Sequence, residues 1–294
     1  MRRIVTWFFR PSSPRAIAVV RIVTNGWTLW YLAKRWRLIT RTASGSPRDF
    51  DPVGIARPLR RPLPPRVIAA TTAANYTTLA LAGLGVAHRI TGPLNAALTW
   101  WTLTYRNSWS MVFHNDNLAV LHLTALGVAP SADALSVDAL VRHRFRTATP
   151  QPSWQYGWPL QTINAVTAGV YLVCGLAKLT GPLGRQWATG QHLRSQVAVD
   201  GIRKAALRPD ADRKASPFVE FIERRPWMWN VFAAGSLAAE LGAPIALVHP
   251  RLGRAWSIGA WGMHAGIKAT MQITFRYQLS GIAYTAFALA PKAA

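Results

Sequence analysis

Apolar runs alternate with short basic ones along almost the whole chain, and several of the apolar runs are long. Ala16 to Ala33 and Val67 to Ala87 each reach the roughly 20 residues that a helix needs to cross about 30 Å of hydrocarbon. A third long run begins near Pro159 and carries Lys178 close to its far end. Trp227 to Val248, Arg254 to Ile273 and Phe275 to Ala290 extend the pattern toward the C-terminus. Leu94 to Tyr105 and Leu118 to Val128 are shorter and need their flanks, or a tilt, to cross. The pattern predicts an all-α fold, a polytopic integral membrane helix bundle of about seven or eight hydrophobic helices.

The intervals between these runs set the expected organisation. Met1 to Arg15 reads as a basic interfacial tail, because Trp7-Phe8-Phe9 is too short for a cleavable signal and Pro11 and Pro14 interrupt it. Residues 16–290 form a single transmembrane domain. Within it, Lys34 to Arg66 is a basic, proline-rich linker, whose prolines after Pro47 preclude a regular helix. His88 to Pro93 reads as a tight turn. Residues 187–226 read as a surface segment: Trp187 to Leu207 is amphipathic, and Arg208 to Arg225 is a charged loop. Leu140 to Tyr156 is a basic connector without a glycine-rich phosphate loop.

Charge and composition narrow the class. Half of the 294 residues are hydrophobic, 14 are tryptophan, and the formal charge is +23. A soluble chain this basic would point to nucleic acid. Here the cations cluster between apolar runs, as membrane proteins arrange them, so no nucleic-acid partner is expected. Anionic lipid headgroups are the expected partners instead. Basic residues flank the first helix on both sides, so charge gives no orientation. Cys174 alone makes no internal disulfide. The Ala/Arg-rich composition suggests a high-GC bacterial genome, and with the apolar runs it predicts a multi-pass protein of the bacterial cytoplasmic (inner) membrane.

Polar side chains inside the apolar runs are the candidate chemistry. A cation such as Lys178 costs about 2.5–3.5 kcal/mol at mid-membrane. It either snorkels to the headgroups or is a desolvated amine that can release its proton and act as a base. Arg21 is expected to snorkel. Glu240, four residues before Pro244, either pairs with another group or is protonated and hydrogen-bonds across helices. His264 and Lys268 lie one turn apart and can share a face. Ahead of the Leu118 run, Asn115 or Asp116 supplies a helix cap. His114 and His122 also share a face there, but two histidines make too small a ligand set, and no metal is predicted. Lys178, Glu240, His264 and Asp116 are candidates for one cavity.

Tyr171-x-x-x-Gly175-x-x-Lys178-Leu179, followed by Trp187-x-x-Gly190, resembles the lysine-bearing helix of vitamin K-dependent gamma-carboxylases. It also resembles that helix in their bacterial relatives, the HTTM (horizontally transferred transmembrane) domain proteins. The departure is an insertion, Gly181 to Arg185, between lysine and tryptophan. His114-Asn115-Asp116-Asn117 resembles the family segment in which asparagines and a histidine precede an apolar helix, with Asp116 at the histidine's place. Ala134-Leu135-Ser136-Val137-Asp138 looks like the family's Tyr-Ser-Val-Asp step, and Arg21-Ile22, Glu240-Leu241 and His264 also match. The resemblance covers most of Arg15 to Phe287.

This resemblance implies a membrane enzyme that binds an isoprenoid quinone or hydroquinone, menaquinone-like. Lys178 would be its base, and Asp116 or His114 the tuning partner. A carboxylate there favours the charged amine, whereas a neutral imidazole does not. Asn115, Tyr171, Trp187, Glu240 and His264 would line the headgroup pocket. The carboxylases engage their peptide through a large extramembrane domain after the helices. The sequence ends at Ala294, so the expected reaction is a quinone-dependent, carboxylase- or epoxidase-like lyase or oxidoreductase reaction without protein carboxylation. The alternative is a non-catalytic accessory or assembly subunit with membrane protein partners, its buried polar groups serving helix packing. A small transporter is a third reading, though the sequence has no clear internal repeat to support it.

Overall fold

The computed structural model describes residues 2–42, 45–109, 116–142, 150–207 and 216–290. Among them every regular element is helical. The α-helices are α1 (Arg2–Phe8), α2 (Pro14–Ala33), α3 (Trp36–Thr42), α4 (Pro65–Leu84), α5 (His88–Asn107), α6 (Asn117–Val128) and α7 (Val137–Arg142). They continue as α8 (Trp154–Thr180), α9 (Gly190–Leu207), α10 (Pro217–Glu223), α11 (Trp227–Leu241), α12 (Pro250–Met271), α13 (Arg276–Leu279) and α14 (Thr285–Ala288). Three of them, α2, α4 and α8, are long and apolar enough to cross a membrane. Their exposed faces carry Ile22, Trp30, Val67, Leu84, Val173 and Leu176, as a lipid-facing surface would. The residues cluster into two units, Met1–Val166 and Thr167–Ala288, and the boundary falls inside α8.

In the first unit, α2, α4, α5 and α6 pack on one another around Leu32, Leu79, Leu103 and Leu123. Helix α2 starts where Ser13 accepts from the Arg15 amide with Pro14 in the first turn, both N-terminal signals. Helix α4 stops at Gly85, whose φ of 67° is left-handed. A Cβ there would stand 2.4 Å from the Ser136 Cβ, so the turn needs glycine twice over. The expected turn at His88 to Pro93 is instead the first turn of α5. Both Asp138 carboxylate oxygens accept from it, one from the Ala87 amide at 2.7 Å and one from the His88 amide at 2.8 Å. That cap comes from fifty residues downstream, so no local pattern announces it. Gly92 and Gly127 let α5 and α6 touch backbone to backbone: a Cβ on Gly92 would lie 2.7 Å from the Gly127 carbonyl.

The proline-rich linker is docked rather than loose. Helix α3 uses the residues before its prolines, and single 3-10 turns follow at Pro47–Asp49 and Gly54–Ala56. Phe50 then packs on Tyr105 and Trp109, and the Asp51 amide donates to the Ser108 carbonyl.

In the second unit, α11 packs on α9 and α12. The expected continuous span from Trp227 to Val248 ends at Leu241 and resumes as a 3-10 turn at Ala243–Leu247, because Pro244 has no amide to donate. The expected closing helix from Phe275 to Ala290 is likewise broken into α13, a 3-10 turn at Ile282–Tyr284 and α14. Gly281, with φ of 78°, makes the break. Trp256 Nε1 donates to the Ala239 carbonyl and ties α12 to α11.

Candidate functional site

Lys178 sits in the last turn of α8, two residues before its end at Thr180. Its ammonium is chelated by the Glu240 carboxylate of α11, with Nζ 2.6 Å from Oε1 and 2.7 Å from Oε2. Glycine at 175 allows this approach, since a Cβ there would already stand 3.0 Å from the Glu240 Cβ. Glu240 is 7% exposed and Lys178 25%, so the pair lies at the edge of the interior, neither free in solvent nor sealed. The Gly181 to Arg185 insertion folds as a turn, with Gly184 at φ 48°. It brings the Trp187 ring back to 5.3 Å from the Lys178 ammonium, a cation–π distance. Gly190 is fixed for a separate reason: its amide donates to Asn230 Oδ1 at 2.7 Å, and a Cβ would clash with Trp229.

Two turns earlier on α8, Tyr171 joins a second polar cluster. Its hydroxyl lies 2.7 Å from His264 Nε2 and 2.5 Å from the Tyr284 hydroxyl. Trp256 stands edge-on to the Tyr171 ring, and Phe275 packs against His264. Tyr171, His264 and Tyr284 are all buried. The other imidazole nitrogen, His264 Nδ1, is buried and has no hydrogen-bond partner among the described residues. A buried polar atom left unpaired is costly, and each such atom asks what it is there to meet. The three hydroxyl and imidazole groups form a chain whose proton positions can shift together, with Nδ1 as its open end.

Comparison with protein-family models, with curated proteins and with solved structures finds no match. The site therefore rests on its own geometry. Lys178, Glu240, Tyr171, His264 and Trp187 all belong to the second unit, and the ion pair and the Tyr171–His264 contact bring them together in two clusters. Lys268 shares the helix of His264 but is exposed. His114 and Asn115 lie outside the described residues.

Asp116 is engaged within the first unit. Its Oδ1 accepts from the Tyr31 hydroxyl at 2.8 Å and its Oδ2 pairs with Arg106 at 2.5 Å. It stands at the start of α6, but its side chain makes no cap bond there; Tyr31 and Arg106 take both oxygens instead. Arg21 does not snorkel. It is wholly buried and donates to the carbonyls of Gly83, Ser131, Ala134 and Leu135, so the protein supplies the acceptors that water would have supplied. Among the described residues no three His, Cys, Asp or Glu gather closely enough to hold a metal.

Tyr284 was not singled out by the sequence. A lone tyrosine in an Ile-Ala-Tyr-Thr stretch carries no signal, and only the break at Gly281 turns it inward. Arg106, one partner of Asp116, carries no signal either, and Tyr31, the other, reads with Trp27 and Trp30 only as part of an aromatic belt.

Proposed function

We propose that this chain is a multi-pass protein of the bacterial inner membrane, of the HTTM or gamma-carboxylase-like kind, that handles a proton at the headgroup of an isoprenoid quinone. The observation that carries the reading is the chelated ammonium of Lys178, held beside a tryptophan at the edge of the interior. Charges so placed are rare inside membranes and mark function more often than packing. The residues also suit the group. An apolar slot with a few polar contacts is what a quinone headgroup needs, and the open His264 Nδ1 supplies a contact for a headgroup oxygen. The basic clusters, including Lys34 over Trp30 and Arg35 over Tyr31, suit anionic headgroups.

A bound hydroquinone supplies two weakly acidic hydroxyls and two electrons. In the charge-paired form it is the Glu240 carboxylate that has lone pairs free to accept a proton, through Oε1 or Oε2. Lys178 then keeps its proton and neutralises the negative charge left nearby. The resemblance assigns the base role to the lysine; this pairing shares it between two side chains. Trp187 shields the ammonium on one side, and Tyr171 fixes the His264 ring through Nε2.

A second reading has its own observation. Gly175 lets α8 and α11 approach to contact, and the ion pair could serve only to lock that crossing, as in an accessory or assembly subunit. Purified protein in lipid nanodiscs with a menaquinol distinguishes the two. Lys178→Met should fold normally and abolish oxidation or epoxidation of the quinol by dioxygen, the oxidant supplied in the assay. Full turnover in Lys178→Met would remove the pair from the chemistry and leave the crossing as its role.

A further inference from the structure

Helix α5 is amphipathic the wrong way round for a helix in water. Its buried positions include His88, Thr91, Asn95, Thr99, Thr102 and Arg106, spaced three or four residues apart on one face. The eighteen steps from His88 to Arg106, at about 1.5 Å each, make this polar stripe about 27 Å long, close to the thickness of the hydrocarbon layer. The opposite face exposes Ile90, Pro93, Leu94, Ala97 and Trp100. Averaged along the helix, the two faces nearly cancel, so hydropathy shows only the short Leu94 to Tyr105 run and does not mark α5 as a span. Taken separately, the outward face suits lipid and the inward one suits a polar interior.

That interior is continuous with polar positions on two of the spanning helices. Asn25 Nδ2 donates to the Arg21 carbonyl at 2.9 Å, and Asn95 Nδ2 donates to Asn25 Oδ1 at 2.8 Å. Thr99 Oγ1 donates to Asn75 Oδ1 at 2.9 Å. The chain thus links α2, α5 and α4 by side-chain bonds alone. Interhelical bonds of this kind are ordinary glue in a membrane bundle. What glue does not explain is the remainder. Thr24 Oγ1, Asn75 Nδ2 and Thr102 Oγ1, one on each of the three helices, are buried and have no hydrogen-bond partner among the described residues. The three residues are at most 4% exposed. Each is a donor, and lipid offers such a group nothing.

We propose that α5 crosses the membrane inside-out, and that the seam it lines with α2 and α4 binds water at Thr24, Asn75 and Thr102. Water meets the chemistry because it accepts from an amide or hydroxyl and donates onward to a carbonyl or second hydroxyl, typically making about three bonds in a buried site. The seam has a buried guanidinium toward each end, Arg21 and Arg106, the second neutralised by Asp116. A fixed positive charge near one end opposes entry of cations, which favours a neutral occupant. This inference rests on the membrane reading and on nothing proposed for Lys178.

Two measurements on the full chain in phosphatidylcholine–phosphatidylglycerol nanodiscs decide it. Nitroxide labels at Leu94→Cys and Ala97→Cys, on a Cys174→Ser background, should relax strongly with oxygen and weakly with a water-soluble nickel chelate. Strong relaxation by the chelate at both positions would put that face in water and overturn the crossing. Water-edited solid-state NMR should then polarise the Asn75 side-chain amide about as fast as exposed amides. Build-up at Asn75 no faster than at buried leucines would overturn the water site. Thr102→Val should slow that build-up while Thr102→Ser keeps it, which separates a lost water contact from a misfolded variant.

Discussion

The two units bury charge in opposite styles. In the first, Arg21 is enclosed by four backbone carbonyls and Asp116 by Arg106 and Tyr31, so each buried charge is absorbed by several partners of the same unit. In the second, Lys178 keeps a quarter of its surface open, and His264 keeps one nitrogen unclaimed. A charge wrapped on every side stabilises an arrangement and can do little else. A charge with a free side is available to a ligand. The contrast separates what holds this protein together from what it offers to chemistry.

The largest test of that contrast is Asp116→Ala. It strands a buried guanidinium, and removing one partner of a buried pair costs about 3–5 kcal/mol. The expected result is a large fall in the denaturation midpoint of the first unit, read by tryptophan fluorescence. Arg21→Met should come next, at about 3 kcal/mol, because it leaves several carbonyls without a charged donor. Gly92→Ala should cost about 1–3 kcal/mol, since its methyl meets the Gly127 backbone, which cannot turn aside as a side chain could. The smallest effect on stability is expected for Glu240→Gln. Lys178 is a quarter exposed and can still reach water, so the loss should fall below that of the fully enclosed Arg106–Asp116 pair. The same variant should nevertheless abolish proton exchange with a quinol. If Glu240→Gln unfolds the second unit as thoroughly as Asp116→Ala unfolds the first, the contrast fails and the ion pair is structural.

The parts of this fold legible in the sequence are those written in average hydropathy. Helices α2, α4 and α8 stand out because their apolar runs are long and nearly unbroken. Lys178 and Glu240 stand out for the converse reason, as lone charges in such runs. Their pairing is not legible, because 62 residues separate them and only the packing of α8 on α11 closes the gap. Helix α5 shows only its Leu94 to Tyr105 part, as a short apolar run, and its full length hides for two physical reasons. Its polar face cancels its apolar one, and its cap, Asp138, lies far along the chain. The breaks at Pro244 and Gly281 were visible as residue types, yet hydropathy runs straight through both. Tyr284 becomes part of a cluster only because of the second break.

Arg21 also bears on the order of synthesis. The carbonyls that receive its guanidinium belong to Gly83 and to residues 131–135, which a ribosome makes long after α2 has emerged. Until then none of these acceptors exists, and the Arg21 guanidinium has to be matched by something else. The contacts that hold Arg21 can therefore close only after residues 131–135 have been made, which ties the packing of α2 to a loop 110 residues downstream.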